Sequence, residues 1–323
     1  MLRIVYTYCM KPTSFAAMLC GALLALPPLG RADEPPVKIT TVDNHLHVEV
    51  NGSPFTDYWF AARSDRPYVR PFFLPILASD ATPLTSDQYT VPKGDHPHHQ
   101  SMWVAHENVN GVNHWLITGK PAAKQEHLRF EKIDADGFVE DLQWDDNQGA
   151  AMLNELRTLR FIAYADGTRA IDLTVALAPA KDAVTLHDAK DAGLCAVRLI
   201  KAISDTATIT NSVGQTGEKQ CWGKPADWCD ESGTIDGKPY GIAIFDAPTN
   251  PRHPTRWHVR QYGLLAANPF GLHEFDPKTF PKDAGDLKIE SGTTVTFRYR
   301  VIVHSGDAAA AKLDEKYKQF VGG

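Results

Sequence analysis

The chain has 323 residues and a formal net charge of −6; 22% of the residues are charged and 43% hydrophobic, with 23 Gly and 22 Pro. So much apolar and aromatic material without any repeat excludes a disordered chain, a collagen and a coiled coil, and leaves an ordinary globular protein. Thirty-three basic residues against 39 acidic ones, with no block dense in Lys and Arg, argue against a nucleic-acid partner, because affinity for phosphates comes from clustered cations.

Residues 1–32 read as an export signal. Arg3 and Lys11 precede an apolar stretch from Phe15 to Leu26, Pro27 and Pro28 break it, and Gly30-Arg31-Ala32 sets small residues where a signal peptidase reads them. The stretch falls short of the roughly 20 apolar residues that cross a bilayer, and no later one is longer, so no membrane span is expected. Residues 33–323 then form a single exported domain, periplasmic or secreted. Three cysteines remain in it, Cys195, Cys221 and Cys229. Cys221 and Cys229 are close enough to bridge, but three small buried residues are the simpler expectation.

In chain order, Leu46, Val48 and Val50 alternate with His45, His47 and Glu49 before Asn51-Gly52 and the apolar run 55–60, the pattern of a hairpin with a two-residue turn. Strands are expected at 127–133, 137–144 and 153–165. After Asp166-Gly167, Ile171, Leu173, Val175 and Leu177 alternate with small or polar residues. Further strands are expected at 183–187, 194–201, 206–210, 240–245, 257–262 and 293–304. The one helix expected is C-terminal, where Asp307 caps a run with Ala310, Leu313, Tyr317 and Phe320 on one side. Many strands, Gly/Pro/Asp-rich connections and little helix predict an all-β fold, a large antiparallel sandwich. The Pro-containing stretches 64–97 and 247–292 read as long loops, where sites on β scaffolds are usually built.

Two segments concentrate the chemistry. From Asp95 to Trp115, five of the 13 histidines fall close together with Glu107 and two tryptophans. If 98–106 is a strand, His98, Gln100 and His106 share one face and His99, Ser101, Trp103 and Glu107 the other. Histidine titrates near neutrality and so moves protons or ligates metals readily. His98, His99 and His106 are therefore candidate acid/base groups, with Glu107 as carboxylate partner. The second segment runs from Cys221 through Trp228-Cys229-Asp230-Glu231 to Arg256-Trp257-His258-Val259-Arg260-Gln261-Tyr262. Aromatic rings among carboxylates, arginines and histidines suit a polyol, whose apolar ring face packs on an aromatic while polar side chains bond its hydroxyls. Asp230 is the second candidate carboxylate. Trp103, Trp228 and Tyr262 are candidate stacking residues, and Arg70, Asn110 and His258 candidate hydroxyl ligands.

These motifs resemble the DUF6807 family, also labelled PmoA-like: Arg66-Pro67-Tyr68 with Pro71, the segment HPHHQSMWVAH followed by Asn110-Gly111 and Trp115, WCDESG at 228–233, NPRHPTRWHVRQYGLLAANPFG at 250–271, and FRYRVIVHSG near the end. Gln100-Ser101 stands where relatives often have Arg-Gly, and Glu107 where Gly is common. The resemblance implies a β-supersandwich similar to the galactose mutarotase superfamily and an origin in bacteria rich in carbohydrate-degrading systems. The PmoA label is shared with a copper oxygenase subunit embedded in a membrane, whereas no span is expected here.

The leading expectation is an exported enzyme that uses a histidine and a carboxylate as acid and base on a sugar or glycoside, as a mutarotase-like isomerase, hydrolase or lyase, with no required cofactor. The alternatives are a Cu, Zn or Fe enzyme, with His96, His98 and His106 joined by Asp95 or His258 as ligands, or a non-catalytic glycan-binding module.

Overall fold

A computed structural model describes residues 36–117 and 123–322. The expected export signal lies outside the described residues. The described residues begin with a five-stranded meander of β1 (Val37–Val42), β2 (His45–Val50), β3 (Ser53–Trp59), β4 (Phe72–Ile76) and β5 (Met102–His106). A second meander follows: β6 (Lys124–Ile133), β7 (Gly137–Asp145), β8 (Ala151–Ala163) and β9 (Arg169–Pro179). After β10 (Val184–Leu186), β11 (Ala192–Arg198) returns to lie beside β5. Next come α1 (Lys201–Ser204), β12 (Thr208–Asn211), α2 (Glu218–Cys221), β13 (Trp228–Ile235) and β14 (Lys238–Asp246). The chain ends with β15 (Arg256–Arg260), β16 (Leu264–Asn268), α3 (Leu272–Phe275), β17 (Leu287–Ile289), β18 (Val295–Ser305) and α4 (Leu313–Gly322).

The strands form two eight-stranded antiparallel sheets. The first has the order β1-β2-β3-β4-β5-β11-β16-β15 and the second β12-β13-β14-β18-β9-β8-β7-β6, while β10 and β17 pair separately. Local chemistry sets the hairpins. Asn51 and Gly52 both take positive φ, 52° and 70°, as a two-residue turn with the right twist demands, and Val50 pairs directly with Ser53.

Period-two alternation sorts the side chains between faces. Leu46, Val48 and Val50 from the first sheet meet Ile171, Leu173, Val175 and Leu177 from the second in one core between the sheets. Each such side chain, fully buried, stabilises the fold by about 2 kcal/mol. On the outer face of the second sheet, Ala243, Phe245 and Ile302 are covered by Leu313 and Phe320 of α4. The C-terminal helix forms as expected, although it begins at Leu313 and Asp307 instead caps the preceding turn through Ala310 N, 2.8 Å away. The outer face of the first sheet carries a smaller cluster that includes Phe72, Trp103, Trp115 and Leu264.

The fold is all-β as expected, and the stretches read as loops contain more strand than their prolines suggested. Region 64–97 holds β4, and 247–292 holds β16 and β17 besides β15, which matches the strand expected at 257–262. Cys195, Cys221 and Cys229 are buried free thiols. No helix among the described residues is long and apolar enough to cross a membrane.

Candidate functional site

A cleft opens on the outer face of the first sheet, and its floor follows from strand register. Phe72, Trp103, Ala196, Ala266 and His258 are successive cross-strand partners on β4, β5, β11, β16 and β15. At about 4.8 Å per strand, Trp103 and His258 stand about 14 Å apart. The two alanines between them keep the floor low. In the adjacent row Arg198, Leu264 and Arg260 are likewise partners.

The turn 95–101 builds one wall. Ser101 adopts a left-handed φ of 65°, which separates this turn from β5 and lifts His96, His98 and His99 above the outer face. Arg70, only 1% exposed, fastens it. Its guanidinium donates to Gln100 Oε1, to the carbonyls of His98 and His114, and to that of Trp115 at 2.7 Å. The opposite wall brings Lys190 and Asp191 from before β11, Glu218 from α2, and His258, Arg260 and Tyr262 from β15 and its turn. With His96, His98, His99 and Leu264 they enclose a hollow of about 450 Å³.

The rings form a stacked set. His96 lies on His99, 4.8 Å between centroids and 5° between planes, and on Tyr262 at 4.9 Å and 18°. His99 also stacks on Trp103 at 5.2 Å and 22°. His98 meets His99 edge-on at 4.7 Å.

Burial decides the protonation of these imidazoles. It pulls His98 down to about 4, helped by the charge of Arg70, and pulls His258 down to about 4 against the opposing pull of Asp191. His99 is lowered further, by burial and then by His98 and Arg198. All three are therefore neutral bases at neutral pH. Arg198 Nη1, which carries donors and no acceptor, lies 3.0 Å from His99 Nδ1 and donates to it. That leaves the His99 proton on Nε2. Arg198 is itself held by Asp95 at 3.0 Å and packs over Tyr262. Asp191 Oδ1 stands 3.7 Å from His258 Nδ1, a buried nitrogen with no hydrogen bond of its own. Glu218 accepts from Arg260 Nη1 at 3.0 Å and from the Gln261 backbone N–H at 2.7 Å.

Residues 45–318 match the model of a family described as DUF6807, a family of unknown function. The chain belongs to that family. No curated protein matches the DUF6807 chain by sequence. Among solved structures it is similar to a polysaccharide lyase, at 12% identity over 84% of this chain and 33% of the lyase, with a TM-score of 0.35. It is also similar to a GalM/aldose epimerase homologue from C. elegans, at 8% identity over 84% of this chain and 98% of that one, with a TM-score of 0.32. The DUF6807 chain thus spans about a third of the lyase's length.

Of the residues singled out by sequence, His98, His99, His258 and Tyr262 line the cleft, and Trp103 lies beneath His99. His106 does not join them. It follows Met102 and Val104 toward the interior, is fully buried, and packs on Phe270 at 4.6 Å. The proposed metal trio His96, His98 and His106 is therefore split across the sheet. Among the described residues no group of three His, Cys, Asp or Glu is arranged to hold a metal ion. Asp230 and Trp228 belong to β13 in the other sheet and line a separate hollow of about 620 Å³. There Asp230 accepts from Ser232 and pairs with His304 Nε2 at 2.9 Å, while Trp228 donates to Asp314 at 3.0 Å. The composite of His98 and Asp230 is thus not assembled. Arg70 spends its donors on the chain itself rather than on a ligand. Asn110 ties its own turn to the backbone N–H of Thr185 at 2.8 Å. Glu107 is half-buried outside the lining, its carboxyl raised by burial and by the nearby charge of Asp191.

Sequence reasoning passed over Asp191, Glu218 and Arg198. Arg198 had a readable signal, a lone cation within the apolar strand 194–199. Asp191 and Glu218 had none, being ordinary acids in polar loops.

Proposed function

We propose that this protein is an exported enzyme that performs general acid–base chemistry on a carbohydrate bound in the histidine cleft. The supporting observation is the convergence of three neutral histidines, His98, His99 and His258, with Asp191 and the stacked ring of Tyr262 around one open hollow of about 450 Å³. A pyranose suits these surroundings, since the stacked His96 and Tyr262 rings present their apolar edges to the sugar and Lys190, Glu218 and Arg260 offer partners to its hydroxyls.

In this reading the charge of Asp191, 3.7 Å from His258 Nδ1, favours the Nδ1–H tautomer and leaves Nε2 as the base. His258 takes a proton from a sugar hydroxyl, and Asp191 stabilises the imidazolium that results. His99, its proton held on Nε2 by Arg198, donates a hydrogen bond to the oxygen where negative charge develops. The His258 imidazolium then gives that proton to the oxygen that bears the charge, and His98, neutral and unpaired through its side chain, is the base on the other side for the reverse direction. No step needs a metal or an organic cofactor. The expected export signal would deliver the protein to the periplasm or beyond, where polysaccharide fragments are met.

The test is turnover of a panel of aldopyranoses and aryl glycosides, followed by proton NMR, with wild type and with His98→Ala and His258→Ala. Each variant should keep its β circular dichroism and lose about 10²–10⁴-fold in kcat/KM. Undiminished turnover in both variants overturns the assignment. Binding without any product in the wild type makes the protein a sugar-binding module.

A further inference from the structure

Beside the histidine cleft lies a second hollow of about 820 Å³, lined by Ser86, Gln88, Lys93, Asp95, Arg198 and Lys201 among others, and walled, like the first, by Glu218 and Tyr262. The two hollows adjoin at these shared residues, with Glu218 and Tyr262 between them. Each half lies within the roughly 300–1,000 Å³ typical of a complete small-molecule site. Together they offer far more room than one sugar ring fills.

The halves differ in chemistry. The first holds all the histidines. The second holds none, yet it is dressed with hydroxyl, amide and charged groups, several of them buried: Gln88 is 8% exposed, Ser204 5% and Arg198 5%. Gln88 Nε2 donates to Ser86 Oγ at 2.8 Å, which holds both polar ends at the wall. Arg198 Nε is buried and makes no hydrogen bond. A groove with the histidines at one end and hydroxyl, amide and charged groups without a histidine at the other fits a ligand that reacts at one unit and is held along the rest.

We infer that the ligand is an oligosaccharide whose reacting unit sits in the histidine cleft and whose neighbouring units lie past Tyr262 against Ser86, Gln88, Lys93, Arg198 and Lys201. This rests on the carbohydrate reading above and adds chain length to it. Tyr262, stacked on His96 and packed by Arg198, stands where the two units join and presents its ring edge to them. Lys93 and Lys201 are exposed at the outer lip, where they reach hydroxyl or carboxylate oxygens of the distal units.

The experiment is isothermal titration of the full chain with gluco-, xylo-, manno- and galacturono-oligosaccharides of one to four units. In the series that binds, the tetramer should bind at least tenfold more tightly than its monomer. In a Lys93→Ala/Lys201→Ala double variant that ratio should fall at least threefold, and in His98→Ala the affinity for both lengths should fall. Equal affinity of monomer and tetramer overturns the groove while leaving the sugar cleft intact, as does an unchanged ratio in a folded double variant. Failure of every series to bind overturns the groove and the carbohydrate reading together.

Discussion

His106 offers a prediction that can be worked through in numbers. It closes β5 on the inner face of the first sheet, fully buried, with neither ring nitrogen hydrogen-bonded. Burial holds it down to about 3, whereas an unfolded histidine titrates near 6.5. Between those values the unfolded chain binds a proton that the folded one refuses. Stability therefore falls as pH drops below about 6.5 and goes on falling until the folded value is reached. At pH 5 the gap is about 1.5 pH units, or about 2 kcal/mol at 1.36 kcal/mol per unit. His114, held to about 3 by burial, and His258, held to about 4, carry the same sign. The buried Glu231 opposes them. Its carboxyl has no hydrogen-bond partner and is raised well above the ordinary range by burial and then by Asp230, so it favours folding as pH falls. The discriminating measurement is therefore a difference between proteins. Urea unfolding followed by tryptophan fluorescence at about pH 7 and pH 5 should show His106→Leu losing about 2 kcal/mol less than wild type across that interval. Glu231→Gln should lose more than wild type. If His106→Leu and wild type lose the same amount to within about 0.5 kcal/mol, His106 is not held neutral by burial and the argument is wrong.

Two further outcomes follow from the cleft. Burial and the Arg66 charge pull the Arg70 guanidinium down to about 9, and it satisfies three carbonyls and Gln100; Arg70→Met should cost about 3 kcal/mol in urea unfolding at pH 7, because buried acceptors are left unpaired. A cost below about 1 kcal/mol would mean that the turn 95–101 does not depend on it. In a pH–rate profile on a turned-over sugar, the acid limb of kcat/KM should fall near pH 4, the value to which burial brings His98 and His258, rather than near 6.5. In Asp191→Asn the limb should move still lower, since removing the carboxylate removes the group that favours the imidazolium. A limb near 6.5 in both proteins would show that neither histidine is the base.

Much of the framework was legible because it is written locally. Asn51-Gly52 declares its turn through the need for positive φ, and the alternation at 171–177 and 295–303 declares strands with one face in the core. The faces within the histidine segment were not legible. Read as one strand, 98–106 sets His98 and His106 side by side. The left-handed residue Ser101 ends that strand early, so His98 rises over the outer face while His106 points into the core. Because φ at a serine is set by its contacts, here the Ser101 N–H to the Ser86 carbonyl and its hydroxyl to Thr85, nothing in the segment itself announces the break.

The amino-acid sequence alone determined that this is an all-β protein, which segments pair as hairpins, and that histidine and tryptophan are concentrated in two stretches. These properties depend on residues a few positions apart, where steric preference and alternation act. Which reactive residues meet was decided by the tertiary structure. Placing β11 between β5 and β16, with β15 at the edge, brings Asp191 and His258 to the same cleft as His98 and His99. The same pairing of β13 with β12 and β14 carries Asp230 away to the other sheet. Strand order is fixed by which apolar faces bury best against each other over the whole chain, so residues far apart in sequence acquire a common site only once that burial is complete.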